Sequence, residues 1–269
     1  MKMQNFKEDL DPMVNGLQTS KKTNHSGKGL LYSLAAGAIV TEAYLGLARP
    51  WILHWGATDG EVKDRLLGDN LIDHPRYKAT HAITIKAPAA SVWPWLVQIG
   101  QGRGGFYSYD WLENLVGCDI HNADRVLSQF QDLKVGSLLR LAPPPVKAGM
   151  PDFAFKVAVL EPERALVIVT PGSFEDTTGT SLPFASWAFI LEQEDETKCR
   201  LIIRFRSTYH LSFPAFLINQ ALLEPIHFIM ERKMLLGIKE RVERAAGYPE
   251  NLLSTTTTEL RFSSLTTTR

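Results

Sequence analysis

Apolar and polar residues alternate through the middle of the chain in a way that predicts β-strands. Residues 81–86 (HAITIK) form the first alternating run, and Pro88 ends it. Later runs, separated by turns that contain Pro, Gly or Glu-Asp-Glu, predict five more strands, over residues 137–141, 153–160, 165–170, 186–193 and 198–209. Because these strands follow one another with short connections, we expect an antiparallel meander.

Helical patterns lie on either side of these later strands. Residues 89–99 and 109–116 predict two short helices, the second with Ser108 as its N-cap. From residue 213 to residue 246, apolar residues recur mostly every fourth position, which predicts one long amphipathic helix bent at Pro225. The order of elements predicts an α+β domain in which a curved antiparallel sheet wraps around the C-terminal helix and leaves a ligand cavity between them.

The two ends of the chain lack such patterns. Residues 1–28 are polar without periodicity, and ten of the sixteen residues from Ser254 onward are Ser or Thr. We therefore expect a disordered N-terminal lead over 1–28 and a disordered tail over 248–269. Residues 49–76 are interpreted as a connector, and the main domain is predicted to span 77–247.

The segment 29–48 is apolar and leaves two interpretations open. Its first part lacks the roughly 18 uninterrupted apolar residues that a membrane span needs, because Glu42 interrupts it. Extended to Ala48 it reaches about 20 residues, with Glu42 as a costly charge in lipid. It is either a helix packed on the domain or on a partner, or a membrane anchor. The localisation therefore stays open between cytoplasmic and membrane-associated.

Composition excludes several classes of function. The 29 Lys and Arg residues balance the 29 Asp and Glu residues, so we expect no nucleic-acid partner. Cys118 and Cys199 are too few for a disulfide framework and lack the paired spacing of a zinc site, which indicates buried small apolar residues. Residues 100–105 match the dinucleotide-binding pattern G-x-G-x-x-G, but Pro94 lies where a buried parallel strand would precede it. No cofactor is predicted.

The densest chemistry lies in residues 93–114 (WPWLVQIGQGRGGFYSYDWLEN). Four glycines come just before a group of aromatic residues, which predicts a tight loop that directs aromatic rings and the Arg103 guanidinium towards one space. Two readings of Arg103 stay open. It either pairs with Asp110 or Glu113 as a structural clasp, or it contacts a ligand.

Other polar residues also allow a structural and a functional interpretation. His121 either caps a turn or acts as an acid or base in the cavity. Arg204, Arg206 and His210 share one face of the last strand, and alternation does not say whether that face points inwards. A helical group, Glu224, His227 and Glu231, resembles half of a di-iron site. Because the other half is absent, the group is interpreted as helix-surface polarity, and no metal is predicted.

Four stretches of the sequence resemble a bacterial subfamily of the SRPBCC superfamily, the group that includes START lipid carriers, Bet v 1-like plant proteins and polyketide cyclases. These are residues 93–117, 119–125 (DIHNADR), 131–136 (QDLKVG) and 230–239 (MERKMLLGIK). The upstream residues 55–58 (WGAT) and 68–69 (GD) are similar as well. The resemblance covers roughly residues 50–247 and implies a helix-grip fold with an apolar cavity.

The resemblance also implies that the cavity binds a hydrophobic or aromatic small molecule. The expected ligand-binding residues are Trp95, Arg103, Phe106, Tyr107, Tyr109, Trp111, Arg206, Ile226, Met230 and Met234. Whether there is catalysis stays open. Cyclase or dehydratase chemistry would use Arg103 to polarise a carbonyl and Tyr107, Tyr109 or His121 to transfer protons. The alternative function is a membrane-tethered lipid-binding or lipid-transfer module that uses residues 29–48.

Overall fold

The structure, a computed structural model, describes residues 32, 33, 35–37, 39, 42–144, 153–172, 174–175, 181–182, 184–208 and 218–247. The chain divides into two compact units, residues 1–48 and residues 49–269. In the first unit the described residues are helical and end in the π-helical stretch Tyr44–Ala48. None of the helices formed by described residues has the length and apolarity needed to cross a bilayer. The predicted lead and tail, 1–28 and 248–269, lie outside the described residues.

In the second unit, the described residues form a six-stranded antiparallel sheet in the order β1-β8-β7-β4-β3-β2. Its strands are β1 (Tyr77–Ile85), β2 (Leu138–Arg140), β3 (Ala154–Glu161), β4 (Ala165–Val169), β7 (Ala185–Asp195) and β8 (Lys198–Ser207). A separate small hairpin consists of β5 (Phe174–Glu175) and β6 (Ser181–Leu182). The predicted meander is confirmed from β2 onward, and β1 joins it by pairing with β8, with Tyr77 opposite Ser207.

Both faces of the sheet are buried, and successive residues of strand β8 alternate between the two faces. Leu201 and Ile203 belong to the main core on the inner face, whereas Ile202 belongs to a second apolar cluster on the outer face. All five residues of β4 are buried for the same reason. A strand covered on both sides reads as a continuous apolar run rather than as an alternating one.

The described helices of this unit are α1 (Arg49–Leu53), α2 (Asp59–Lys63), α3 (Ala89–Val97), α4 (Asp110–Leu115) and α5 (Glu224–Ala245), with short 3-10 turns at Asp69–Leu71 and Ser128–Phe130. Helix α5 follows a π-helical stretch, Asn219–Leu223, and Pro225 lies in its first turn. The predicted N-cap of α4 is wrong. Tyr109 occupies that position, and the Ser108 hydroxyl instead donates to the Met230 carbonyl at 2.9 Å.

Helix α5 packs across the inner face of the sheet through an apolar stripe. Met234, Leu235, Ile238 and Val242 are all fully buried in the main core. At Gly237 the helix approaches the loop before α4 so closely that an added Cβ would lie 2.2 Å from the Tyr107 carbonyl oxygen. The long helix held by a curved antiparallel sheet is the predicted α+β arrangement, which confirms the fold class.

Residues 57–72, which we call the strap, cover the outer face of the sheet. Four apolar side chains of the strap pack on the outer cluster: Ala57, Leu66, Leu67 and Leu71. Ion pairs fix it to β8. Asp69 accepts from Arg204 at 2.7 Å and forms an ion pair with Arg206 at 2.9 Å, while Glu61 accepts from Arg200 at 2.6 Å. The segment interpreted as a connector is thus packed onto the domain. Arg204, only 1% exposed, and Arg206 point outwards, beneath the strap.

Candidate functional site

A cavity of about 340 Å³ lies between the inner face of the sheet and helix α5. It is lined by Phe106, Ser108, Glu113, Cys118, Leu141, Phe155, Trp187, Phe205, His227, Met230, Glu231 and Met234. The strands supply most of the aromatic rings, and α5 supplies the two methionines and two titratable groups. The lining therefore combines an apolar wall with a few convergent polar side chains, which is the usual composition of a small-molecule site.

Trp187 is the centre of the aromatic wall. Its ring stacks on Phe106 at a centroid distance of 6.2 Å and contacts Phe155 and Phe205 at the same distance in tilted and edge-on arrangements. Phe189 lies 5.1 Å from it on the same strand. Rings held by several neighbours have little side-chain freedom left to lose, so this wall is already ordered.

A buried ion pair adjoins this aromatic wall. Glu231 of α5 accepts from His81 Nδ1 at 2.7 Å and from Trp187 Nε1 at 2.8 Å, while the other ring nitrogen of His81 lies 2.7 Å from the Ile52 carbonyl. Burial alone would lower the pKa of His81, but the Glu231 carboxylate and both hydrogen bonds outweigh it and raise that pKa. Since both ring nitrogens face acceptors, His81 is the imidazolium partner of an ionised Glu231.

His227 lies one helical turn before Glu231 and lines the cavity. Its Nδ1 is 3.3 Å from the Tyr77 hydroxyl, and its ring packs on Phe205 with centroids 4.8 Å apart. Burial, as the largest effect, lowers the pKa of His227 despite the nearby Glu231 carboxylate. The cavity therefore faces a neutral imidazole at this position at neutral pH.

Glu113 is the other carboxyl group of the lining, and it comes from α4. Burial, and then the neighbouring Asp110 charge, raise its pKa to about 7. Its Oε2 atom is buried and has no hydrogen-bond partner in the described part of the chain. Cys118 lies beside it, with a backbone N–H that donates to the Glu113 carbonyl at 3.2 Å. Burial and then the Glu113 charge raise the pKa of the Cys118 thiol.

The structure brings three of the expected ligand-binding residues to the cavity, namely Phe106, Met230 and Met234. Arg103 instead forms a clasp, but not with a carboxylate. Its guanidinium donates to the carbonyls of Val97 at 2.8 Å, Phe130 at 3.0 Å and Ile99 at 3.2 Å, and it lies over the Phe130 ring. Neither Asp110 nor Glu113 pairs with it in the described structure.

Tyr107 and Trp95 form a buried support for the same loop. The Tyr107 hydroxyl donates to the Trp95 carbonyl at 3.0 Å and accepts from Gln98 at 2.9 Å, and its backbone N–H donates to Asn122. Burial raises the pKa of Tyr107 well above its ordinary value. Tyr107 also has a left-handed backbone, with φ of 58°, which this network and the contact with Gly237 hold in place.

The remaining expected residues lie outside the cavity lining. Trp111 is 66% exposed, Ile226 is 40% exposed, and Tyr109 packs beneath the Lys233 ammonium. The side chain of His121 is 82% exposed and contacts Asp119 at 3.1 Å. Arg206 lies on the opposite face of the sheet, because it alternates with Phe205, which does line the cavity. His210 lies outside the described residues.

Sequence reasoning missed His81, Glu113, Trp187, His227 and Glu231. The spacing of Glu224, His227 and Glu231 did place them together on one helix, but their interpretation as helix-surface polarity is wrong. Glu224 is buried against Arg49 at 2.8 Å, and Glu231 is buried against His81. Among the described residues, no three His, Cys, Asp or Glu side chains are placed to hold a metal ion.

These observations settle the architecture: β1 and the meander form one curved antiparallel sheet, and α5 lies across its inner face above a cavity. The protein has the helix-grip fold. This is the fold that the sequence resemblance implies.

Comparisons with known proteins gave structural likenesses only. No family model and no curated protein matches the chain. Among solved structures, protein NE0264 from Nitrosomonas europaea is 13% identical, with a TM-score of 0.39 over 66% of this chain and 100% of that one. A point mutant of norcoclaurine synthase from Thalictrum flavum, solved with a transition-state analogue, is 15% identical, with a TM-score of 0.33 over 63% and 96%. The Aha1 dimer from Colwellia psychrerythraea is 14% identical, with a TM-score of 0.29 over 59% and 97%. Because these TM-scores are low, the comparisons add nothing to the argument for the fold, which depends on the strand order and the position of α5.

Proposed function

We propose that the protein binds a hydrophobic or aromatic small molecule in the cavity between the sheet and α5. The observation that carries this proposal is a space of about 340 Å³ whose wall consists mainly of aromatic rings and methionines. Burying apolar surface of a ligand there would contribute about 25 cal/mol for each Å² removed from water. Met230 and Met234 are flexible, polarisable side chains that adapt to ligands of different shape.

We also propose that the chain belongs to a bacterial subfamily of the SRPBCC superfamily. Its support is the long motif over residues 93–117 together with the helix-grip fold. Within this motif, Tyr107 lies against Gly237 of α5, so the motif includes a residue that positions this helix. The subfamily resemblance therefore indicates how the cavity is built and does not identify the ligand.

Chemistry on the bound molecule, of the cyclase or dehydratase type, is a second candidate. The observation that favours it is that Glu113, whose pKa is raised to about 7, lines the cavity together with the neutral imidazole of His227, so that a proton donor and a proton acceptor share one space. The proton-transfer roles considered for Tyr107 and His121 have less support, because one hydroxyl is held inside the loop and the other side chain faces solvent.

A membrane-tethered lipid module remains an alternative proposal that depends on residues 29–48. Extraction of the full chain from its host membranes tests it. Release by salt alone, without detergent, would contradict an anchor in this segment.

Uptake of a neutral fluorescent probe, N-phenyl-naphthylamine, tests the proposed binding function. Met230→Arg places a charge in the cavity wall, and we expect it to weaken the probe's affinity at least about tenfold. The matched control is Ile229→Arg, because Ile229 immediately precedes Met230 on α5 and faces solvent. We expect the control to bind as the wild type does. Unchanged uptake by a Met230→Arg protein with a cooperative unfolding transition would exclude this cavity as the binding site.

A further inference from the structure

Most polar side chains of the cavity lining already have partners inside the protein. The Ser108 hydroxyl donates to the Met230 carbonyl, and both Glu231 oxygens are taken by His81 and Trp187. The negative charge of Glu231 is matched by the His81 imidazolium, so this pair adds no net charge to the cavity. A ligand gains little by competing with bonds that are already made.

Glu113 differs from these groups. Among the described residues that line the cavity, its Oε2 is the buried side-chain oxygen without a hydrogen-bond partner, and no described cation forms an ion pair with it. An ionised carboxylate that is buried without a partner is unfavourable, because it loses water without gaining a compensating contact. A buried polar group without a partner, with a perturbed pKa and in a cavity, is a candidate for pairing with a ligand.

The surroundings of Glu113 determine which ligand group would complete it. The titratable groups near it are Asp110 on its own helix, Cys118 in the following loop, and His227 and Glu231 on α5. With Glu231 neutralised by His81, and His227 neutral, the remaining charge on this side is negative. An ionised carboxylate only accepts hydrogen bonds, and a charged donor adds the attraction of opposite charges to the hydrogen bond.

We infer that the cavity is selective for an apolar or aromatic amine, whose protonated nitrogen donates to Glu113 Oε2 while its hydrophobic body packs on the aromatic wall around Trp187. This inference rests on the proposed binding function and adds to it the chemical class of the ligand. The aromatic side chains of Phe155 and Phe205 in the same lining favour the same choice, because an aromatic ring attracts a desolvated cation over its face.

Two probes that share one ring system isolate the contribution of Glu113. Naphthylmethylamine and naphthalenemethanol differ only in the amine and the hydroxyl, and naphthylacetic acid supplies the opposite charge. Their dissociation constants are measured by calorimetric titration at about pH 8, where Glu113 is ionised and the alkylamine is protonated. The proteins are the wild type, Glu113→Gln, and the control Glu196→Gln, whose side chain is exposed in the turn between β7 and β8.

For the wild type and Glu196→Gln we expect the amine to bind at least about tenfold more tightly than the alcohol, and the acid to bind most weakly. Glu113→Gln should bind amine and alcohol equally, with the affinity for the alcohol unchanged. A wild type without preference for the amine, a preference for the acid, or an amine preference that survives in Glu113→Gln would overturn the inference. In those cases the alcohol still binds and the proposed function stands. If none of the probes, including N-phenyl-naphthylamine, binds the wild type, the proposed function fails and the inference fails with it.

Discussion

Replacing Glu113 with Gln should make the protein more stable at neutral and alkaline pH, because it removes a titratable group from a cavity wall. The side chain keeps its length and shape, and only the titrating proton is lost. In the wild type the carboxyl group is buried beside Asp110, and its Oε2 has no partner in the described structure. Ionising it therefore costs free energy, and this cost is absent in the amide variant.

The size of the effect follows from the displacement of the pKa. The folded-state pKa of about 7 lies above the ordinary value of 4.5. At about 1.4 kcal/mol per pH unit, this displacement corresponds to an upper value of about 3 kcal/mol. Because Glu113 is only partly buried, water reduces the effect, and we expect about 1–3 kcal/mol. The sign follows from proton binding: since the folded state binds the proton more tightly, the contribution is complete below pH 4.5 and lost as the pH rises through 7.

The assay is the free energy of unfolding, measured by urea denaturation of the wild type and Glu113→Gln from about pH 4 to about pH 8. The difference between the two curves should be nearly constant at the acid end. It should then grow in favour of Glu113→Gln as the pH rises, and level off above pH 7. Glu196→Gln, exposed in its turn, should follow the wild type throughout. Parallel curves for Glu113→Gln, or a variant that loses stability at high pH, would refute the reasoning and show that the carboxylate has a stabilising partner.

Three further substitutions test the scaffold of the cavity. Glu231→Leu leaves the buried His81 imidazolium unpaired, and the free energy of unfolding in urea should fall by about 3–5 kcal/mol; a loss below 1 kcal/mol would mean that the pair contributes little. Gly237→Ala should lower the thermal midpoint by the equivalent of about 1–3 kcal/mol, because the new methyl group meets the Tyr107 carbonyl; the stabilisation that Ala gives in an ordinary helix would contradict this close approach. Arg103→Met should cost about 1–3 kcal/mol, because it leaves three carbonyls without a donor. Its affinity for N-phenyl-naphthylamine should stay at the wild-type value, and weaker binding at unchanged stability would favour the ligand-contact reading instead.

The main elements were predictable because their patterns are local. The alternation that predicted a strand over residues 198–209 corresponds to β8, and the helical periodicity before residue 246 corresponds to α5. Strand β1 was predicted four residues too short at its start. Tyr77 to Thr80 mix apolar and polar side chains, and the burial of Thr80 beneath the strap depends on residues that are close only in the fold. Local periodicity contains no information about such a covering segment.

The site was less predictable for a related reason. Phe106, Met230 and Met234 belong to a motif or to an apolar stripe, and all three lie in the cavity lining. Their contact with a ligand stays a prediction. His81 and Glu231 are 150 positions apart, and each taken alone resembles an ordinary surface residue. Their pairing results from the crossing of β1 by α5.

The strap also restricts the order in which the chain can assemble. Asp69 meets Arg204 across 135 positions, and β1 pairs along its whole length with β8. A chain emerging from the ribosome therefore exposes its first strand and the strap long before their partners have been synthesised. Long-range closure of this kind is slow and leaves strand edges open to other chains. We therefore expect nascent protein lacking residues beyond β7 to depend on chaperones, and the completed chain to gain its outer face and its cavity in one late step.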